Sequence, residues 1–358
     1  MTIQPNTINP HLSARPFSAP YSARKASSKV SSSLSTTTPS TTQSPSEYNF
    51  SVFVRVRPLT AEELGASGSA TITVMDNNFL VFDPAQARAS KYRKGLHDHS
   101  KRSKEHKYAF DRVFSEMATQ RQVFENSTLS LIDGVFDGLN ATVFAYGATG
   151  AGKTHTMAGT PSDPGIMVLT MCELFDRIEK CRNEKIIDLR VTYLEIYNET
   201  IRDLLADGPC QPLDLREDAQ QGISISGLSE HIPESVQHVM ALLKKGNANR
   251  MMSPTQANAT SSRSHAVLQI HIQQKDRTAN VVSDVQCAKL SLIDLAGSER
   301  ACVTQNRGER IREGANINRS LLALGNCINA LCASKKPQHI PYRDSKLTRF
   351  VRLWSNGT

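Results

Sequence analysis

One short stretch of sequence decides the fold: Gly147-Ala148-Thr149-Gly150-Ala151-Gly152-Lys153-Thr154. It fits G-x-x-x-x-G-K-[ST], the pattern of a phosphate-binding loop, in which glycines let successive backbone N–H groups face phosphate oxygens. In this pattern Lys153 contacts the β- and γ-phosphates and the Thr154 hydroxyl is a ligand of Mg²⁺. The stretch therefore predicts a site for a nucleoside triphosphate with Mg²⁺. The alternative interpretation is a glycine-rich turn that binds nothing.

The flanking sequence supplies the context that such a loop requires. The run 140–145 is apolar and β-branched, which predicts a strand entering the loop, and 166–181 has helical periodicity after it. Further segments predict strands at 50–56, 189–196, 265–273 and 289–294, and helices at 120–136, 236–245 and 317–331. Strands interleaved with helices predict an α/β P-loop NTPase fold, with a central, mostly parallel or mixed sheet and helices on both faces.

Two other segments narrow the kind of P-loop protein. An apolar strand ends at Asp294, and the pattern D-x-x-G places Gly297 three residues later. An acid at that position can hold the water shell of Mg²⁺, and the glycine N–H can meet a γ-phosphate. The second segment is a run of hydroxyl side chains around one arginine, Asn258-Ala-Thr-Ser261-Ser262-Arg263-Ser264-His265. Taken alone, the first pattern can be coincidence and the second can be a helix-capping loop.

Composition limits the class of protein. The chain has 358 residues, 39% of them hydrophobic and 21% charged, as in an ordinary globular protein. No apolar run is long enough to cross a bilayer, so we expect no membrane role. The seven cysteines are scattered, which favours reduced thiols and the cytoplasm. Residues 1–46, rich in Ser, Thr and Pro, predict a disordered basic tail before a domain at 47–358. A transit peptide is a second interpretation of this tail.

The net charge of +8 is concentrated in three segments: the tail, 86–107 and 335–352. The segment 86–107 holds eight bases and two acids, and 335–352 holds six bases and one acid. Local basic patches on an otherwise mildly acidic body indicate an acidic partner. Ordinary solvated loops are the alternative explanation of each patch taken singly.

Together these segments closely resemble the motor domain of kinesins. The matching pieces run in family order from Tyr48 to Arg349: R-V-R-P at 55–58, the phosphate loop continued by H-T-M at 155–157, N-A-T-S-S-R-S-H, L-I-D-L-A-G-S-E-R, the helix from Asn316, and H-I-P-Y-R-D-S-K-L-T-R at 339–349. Ala148 and the segment 264–270 look most like the eighth kinesin class, whose members move to microtubule plus ends and limit microtubule length. The resemblance implies a motor ATPase for microtubule-based movement. Its expected location is the microtubule cytoskeleton, with the spindle as a second candidate location.

The resemblance also implies roles for single residues. Arg55, Arg57 and Pro58 are expected on one side of the adenine and His155 on the other. No guanine-reading N-K-x-D occurs, which favours ATP over GTP. Ser262 joins Thr154 and Asp294 around Mg²⁺, and Arg263 pairs with Glu299 to close the switch loops. The γ-phosphate and the attacking water are lined by Asn258, Ser261 and Gly297.

Microtubules are the partner that the resemblance implies, with no role for nucleic acid. The binding face comprises the polar side of the 316–331 helix and the basic residues Lys335, Lys336, Tyr342, Arg343, Lys346 and Arg349. The apolar stripe of the same helix is expected to be core: Ile317, Leu321, Leu324, Ile328 and Leu331. The basic segment 86–107 matches an extended loop that can touch tubulin. It lacks the Lys-Val-Asp finger of depolymerising kinesins, which argues against that activity.

After Arg349 the sequence diverges from the family, whose pattern continues through a helix, a central strand, a last helix and a neck linker. We therefore expect a motor fold without its last strand and helix, with an open slot between the first strand and the strand before the phosphate loop. We expect such a chain to be marginally stable or to need a partner, and to be unable to step because it has no neck linker. The alternative functions are a non-motile microtubule- or nucleotide-binding fragment and a P-loop switch such as a GTPase. The sequence has no sustained heptads, which favours a monomer.

Overall fold

The computed structural model describes residues 50–67, 70–83, 105–208, 211–218, 222–251, 262–277, 285–299, 309–332 and 339–355. The chain divides into two units, Met1–Glu47 and Tyr48–Thr358, and every described residue belongs to the second. The expected tail, and most of the basic segment 86–107, lie outside the described residues. The predicted disorder of the tail therefore stays a prediction.

Strands and helices alternate along the described chain. In order they are β1 Phe53–Arg55, α1 Ala61–Ser67, β2 Ile72–Val74, β3 Phe79–Phe82, β4 His106–Ala109, β5 Arg112–Phe114, α2 Gln120–Ser127, α3 Leu129–Phe136, β6 Ala141–Ala145, α4 Lys153–Met157, α5 Ile166–Cys181, β7 Lys185–Tyr197, β8 Thr200–Asp203, β9 Pro212–Leu213, β10 Leu215–Asp218, β11 Gly222–Ile225, α6 Val236–Met251, β12 Ser264–Asp276, β13 Gln286–Asp294, α7 Glu309–Cys332, the 3₁₀ turn Tyr342–Asp344 and α8 Lys346–Ser355.

The central sheet has six strands in the order β6-β13-β12-β7-β8-β9. The β6–β13 pair is parallel, and the other pairs in this sheet are antiparallel. Hairpins account for much of the antiparallel pairing: β7 and β8 are joined by Asn198 and Glu199 alone, both at positive φ, as a tight two-residue turn requires. The predicted mixed sheet with flanking helices is confirmed, and its parallel part includes the strand that enters the phosphate loop.

Each face of the sheet carries its own hydrophobic core. One cluster packs α2, α3, α5 and α6 against the sheet around the fully buried Met171, Leu174 and Leu268. The other packs α7 and α8 against Leu194, Val267 and Ile293. Alternate residues of a strand point to opposite faces, so β12 contributes to both clusters. The site described below lies where the ends of these strands meet both layers.

The edge strand β6 bears on the predicted slot. Within the described residues β6 ends the six-stranded sheet, while β1 pairs in parallel with β5 in a separate two-stranded sheet. Phe50 and Val52, just before β1, are exposed, as is Tyr146 after β6. The two strands that were expected to flank the slot are thus not paired with each other. The low stability expected from an open slot stays a prediction.

Several element boundaries differ from the sequence predictions. The helix predicted over 120–136 is two helices, because the Thr128 N–H closes α2 on the Phe124 carbonyl and α3 starts afresh at Leu129. Strands β7 and β12 are each 13 residues long because they pair with each other along their whole length. β1 keeps only three residues of the predicted 50–56 strand, since pairing with β5 is that short. Among the described helices, none is both long and apolar enough to span a bilayer.

Candidate nucleotide-binding site

The phosphate loop connects the end of β6 to α4 at the edge of the central sheet. Gly152 precedes the helix with φ of 91°, a left-handed conformation that L side chains rarely adopt, so the second glycine of the pattern is needed for its backbone. The helix that follows has only five residues, Lys153–Met157. The donors that the loop offers to a phosphate are its own N–H groups and Lys153, and phosphate binding itself stays a prediction.

Lys153 and Thr154 point into the site and are held there. The Lys153 ammonium donates to the carbonyls of Gly147 (2.9 Å) and Ala148 (3.0 Å), both in the loop itself. Burial lowers the pKa of Lys153, although Asp294 and Glu299 oppose this effect. The Thr154 hydroxyl donates to Asp294 Oδ2 at 2.7 Å. The structure thus brings together two of the three residues assigned to Mg²⁺, Thr154 and Asp294, from positions 140 residues apart.

Asp294 has a second, stronger partner that the sequence analysis missed. Arg250, near the end of α6, donates from Nη1 to Asp294 Oδ2 at 2.6 Å, and both side chains are about 97–98% buried. The same guanidinium donates to the Ser264 carbonyl at 2.8 Å and the Ser264 hydroxyl at 3.1 Å. Arg250 therefore fixes the acid at the end of β13 to the start of β12. Nothing local in the sequence marks it, because all three bonds are tertiary.

The segment after β13 touches both the phosphate loop and the start of β12. The Gly297 N–H donates to the Ser262 carbonyl at 2.8 Å, and the Ser298 N–H donates to the Gly147 carbonyl at 3.1 Å. A Cβ at Gly297 would overlap the Thr149 hydroxyl and the Glu299 carboxylate, so a larger residue there would have to displace the hydrogen bonds between them. Glu299 accepts hydrogen bonds from the Thr149 N–H and hydroxyl. Burial alone raises the pKa of Glu299, but these bonds outweigh it and the pKa is lowered.

The residues assigned to the adenine form two separate groups. Arg55 donates to Gln120 (2.7 Å) and Thr156 (2.9 Å), and the Gln120 amide contacts His155 Nδ1 at 3.2 Å. Gln120, a buried residue that the sequence analysis missed, thus joins Arg55 to His155. Arg57 instead makes a bidentate ion pair with Glu63 at 2.6 and 2.8 Å and donates to the Pro58 carbonyl. The role of all four in binding adenine stays a prediction.

The remaining predicted residues are placed only in part. Asn258, Ser261, Lys335 and Lys336 lie outside the described residues. Arg263 lines a small cavity with Glu199, His265 and Asn316, and its predicted pairing with Glu299 stays a prediction. On the expected filament face, Arg343 is exposed, Lys346 and Arg349 are half-buried, and Tyr342 packs against the core below α7. The apolar stripe of α7 is core as predicted, with Leu321 and Leu324 buried and Leu331 half-buried.

These residues fit a magnesium-bound triphosphate. Asp294 Oδ1 is buried and has no hydrogen-bond partner, so one oxygen of the acid is left for the water shell of a cation. The lysine ammonium and the backbone N–H groups of the loop are donors suited to phosphate oxygens, and the Thr154 hydroxyl oxygen is a ligand suited to Mg²⁺. The arrangement can therefore bind and polarise a terminal phosphate without any covalent protein intermediate.

This chain is similar in sequence to several known proteins. The family model for the kinesin motor domain matches residues 55–355. Kinesin-like protein 5 of Schizosaccharomyces pombe is 49% identical over 352 residues, covering 86% of this chain and 40% of that protein. Kinesin-like protein KIF18B of Gallus gallus is 53% identical over 314 residues (86% and 39%), and Kinesin-like protein KIP3 of Saccharomyces cerevisiae is 48% identical over 316 residues (80% and 39%).

A solved structure shows the same fold. The structure described as "Structure of a fast kinesin: Implications for ATPase mechanism and interactions with microtubules" has a TM-score of 0.71 and 36% identity to this chain. The match covers 85% of this chain and 81% of that one. This chain spans about 40% of the length of the curated relatives described above.

Proposed function

Since this chain belongs to the kinesin motor domain family, we propose that it binds Mg·ATP at the phosphate loop, hydrolyses the γ-phosphate and binds microtubules, which stimulate turnover. The relatives at 48–53% identity confirm the predicted likeness to the eighth kinesin class. By analogy with that class we propose a role in microtubule-based movement and in limiting microtubule length. The protein then works in the cytoplasm, on the microtubule cytoskeleton.

The observation that carries this proposal is the contact between Thr154 and Asp294. It joins the phosphate loop to the end of β13 at 2.7 Å and leaves Asp294 Oδ1 without a partner. A glycine-rich turn without a ligand needs neither feature. A buried carboxylate oxygen without a hydrogen bond is costly, and a bound cation with its waters removes that cost.

The chain's own residues divide the work of hydrolysis. Lys153 exchanges its two loop carbonyls for phosphate oxygens and offsets their charge. Gly297 offers its N–H to the terminal phosphate, which requires the Gly297–Ser262 bond to yield. Thr154, Ser262 and Asp294 hold Mg²⁺ directly or through water, and the ion, when bound, neutralises charge that develops on the phosphate oxygens. Arg263 and Glu299 pair to close the switch loops, and Asn258, Ser261 and Gly297 line the γ-phosphate and the attacking water.

The filament-binding part of the proposal rests on charge. Arg343, Lys346 and Arg349 follow one another on the 3₁₀ turn and α8, and Lys335 and Lys336 precede them in the sequence. A basic surface of this kind attracts the acidic surface of tubulin, and added salt weakens the attraction because exposed charges are screened over about 8–10 Å. We propose that the chain binds as a monomer and needs neither nucleic acid nor a membrane.

The test is steady-state ATP hydrolysis with and without microtubules, on the parent chain and on Lys153→Ala. We expect microtubules to stimulate the parent and Lys153→Ala to lose nucleotide affinity on the order of 10- to 100-fold, because hydrogen bonds to charged groups contribute ~1.5–3 kcal/mol. Lys180→Ala, an exposed lysine near the end of α5, is the matched control and should behave as the parent. Binding of Mg·ATP without turnover would instead support a non-motile fragment, and preference for GTP a switch protein. Unchanged affinity in Lys153→Ala refutes the site.

A further inference from the structure

One buried histidine joins the loop after β13 to the long helix α7. His265, the second residue of β12, is only 3% exposed. Its Nδ1 accepts a hydrogen bond from the Ala296 N–H at 3.1 Å, and its Nε2 lies 2.9 Å from the Ser320 hydroxyl oxygen. Ser320 in turn donates to the Ile317 carbonyl, one turn earlier in α7, at 2.8 Å.

The chemistry of the ring fixes the direction of these bonds. Burial, reinforced by the charges of Arg250 and Lys153, lowers the pKa of His265 to about 3, so the ring is neutral at physiological pH. A neutral imidazole has one donor and one acceptor. Because Nδ1 accepts from Ala296, Nε2 carries the proton and donates to Ser320. The chain of bonds therefore runs in one sense, from the Ala296 N–H through His265 and Ser320 to the Ile317 carbonyl.

At the loop end of this series of hydrogen bonds, the residues on both sides of Ala296 contact the predicted phosphate site. Ala296 lies between Asp294, which accepts from Thr154, and Gly297, whose N–H donates to Ser262. The next residue, Ser298, donates to the Gly147 carbonyl of the phosphate loop. Because Ala296 and Gly297 share a peptide unit, a movement of the Gly297 N–H toward a phosphate also moves the carbonyl of Ala296, and any part of the movement that shifts the Ala296 Cα changes the geometry of the Ala296 N–H bond to His265.

At the helix end of these hydrogen bonds, Ser320 lies in a closely packed part of α7. Ser320 is 2% exposed, and the neighbouring Leu321 and Leu324 pack in the second hydrophobic cluster. A displacement at Ser320 is therefore shared by the whole of α7, because close-packed interiors transmit strain. A small cavity lined by Asn198, Arg263, His265 and Ser320, among others, leaves space beside the hydrogen bond.

We propose that His265 is a positioning residue that couples the phosphate-facing loop at Ala296–Gly297 to helix α7 through Ser320. The inference rests on the proposed function, since it needs a nucleotide whose terminal phosphate meets Gly297. His265 touches no reacting atom. It reports the position of the loop's main chain to the helix that also carries the expected filament-binding face. The far end of the link, Ser320, is the place to cut it, because the site itself stays intact.

The experiment measures hydrogen exchange of the amides in α7 for the whole chain with Mg·ADP and with a non-hydrolysable Mg·ATP analogue. In the parent chain, we expect the analogue to change exchange around Ile317–Leu321 by about fivefold or more, the lower end of typical coupling between sites. In Ser320→Ala this difference should fall below about twofold while affinity for both nucleotides is unchanged. Ser320→Thr keeps the hydroxyl and should restore the difference, which a merely structural loss would not explain.

Two further variants keep the proposal falsifiable. His265→Asn retains an acceptor near Nδ1 for Ala296 and loses the donor to Ser320, so it should act as Ser320→Ala does even if that variant fails to fold. Thr170→Val, on α5 at the other face, removes a buried hydroxyl that has no hydrogen-bond partner and should behave as the parent. A parent-like difference in Ser320→Ala or His265→Asn overturns the link alone. Failure of the parent to bind either nucleotide refutes the proposed function, and the link with it.

Discussion

Two buried carboxylates lie in one row across the central sheet but have very different surroundings. Asp294 on β13 and Glu195 on β7 both pair in register with Ala266 of β12, one on each side. Both are at most 1% exposed. Asp294 accepts hydrogen bonds from Arg250 and Thr154, whereas neither oxygen of Glu195 has a hydrogen-bond partner.

The difference shows which partners a buried carboxylate needs before it can serve the site. Burying a carboxylate costs free energy unless a paired charge and hydrogen bonds offset it. At Asp294 the Arg250 guanidinium supplies both, so the acid is held in one position with one oxygen left over for the site. At Glu195 the nearest cross-strand residue, Arg202, has its guanidinium over the Tyr197 ring, 5.5 Å from the centroid. Glu195 therefore contributes no bond that stabilises the fold.

The largest change in stability is expected when the partner of Asp294 is removed. We expect Arg250→Ala to lower the free energy of unfolding by about 3–5 kcal/mol, because it leaves a buried charge unpaired. Urea denaturation followed by circular dichroism measures the change. Arg182→Ala, which cuts an exposed ion pair with Glu179, is the control and should cost less than about 1 kcal/mol. A loss of that small size in Arg250→Ala would show that the pair does not hold Asp294.

Lowering the pH tests the Asp294 end of the row, because His265 binds a proton when the chain unfolds. Its pKa in the folded chain is lowered from 6.5 to about 3, with Arg250 among the causes after burial. The pKa of His265 is lower in the folded chain than in the unfolded chain, so its full contribution to stability is present above pH 6.5. This contribution is lost as the pH falls, because the unfolded chain then binds a proton that the folded chain does not. From pH 7 to pH 5 the loss from this residue is about 2 kcal/mol.

The His265→Asn variant isolates that contribution. Urea titrations at pH 7 and pH 5 should show a loss in the parent that exceeds the loss in the variant by the amount attributed to His265. His271, also buried with a pKa lowered to about 4, is present in both chains and cancels in the difference. Equal losses in the two chains would mean that His265 is not neutral by burial.

The smallest effect is expected at Glu195, in the opposite direction. Glu195→Gln keeps the shape of the side chain and removes a charge that has no partner, so the free energy of unfolding should rise by up to about 1 kcal/mol. Glu179→Gln on the exposed end of α5 is the control and should change little. If Glu195→Gln destabilises the chain instead, the carboxylate has a partner in solution and the two acids are alike.

The local parts of the fold and site were predictable from the sequence. The phosphate loop has a fixed spacing, and the strand ending at Asp294 is a mostly apolar segment followed by D-x-x-G, so both were found along with their strand context. The break at Thr128 was missed because Val123, Phe124, Leu131 and Val135 keep nearly one helical phase across it. The lengths of β7 and β12 depend on each other, which no single segment reveals.

Other parts of the site depend on tertiary contacts that leave no local pattern. Arg250 sits near the end of α6, where a basic residue is ordinary, and only the folded chain brings it to Asp294. Gln120 is likewise an unremarkable first residue of α2 until Arg55 and His155 converge on it. The pairing of Arg57 with Glu63 shows the reverse case, in which a residue assigned to a ligand has a close neighbour of its own.

The parallel pairing of β6 with β13 bears on the order in which the chain folds. Ala145 and Asp294 are partners in that ladder, so its closure joins segments that lie about half of the domain apart in sequence. Such long-range contacts form slowly, because loop entropy is lost before they are made, whereas the β7–β8 hairpin closes over two residues. The phosphate loop can meet Asp294 only when this late step is complete. Nucleotide should therefore slow unfolding more than it speeds folding.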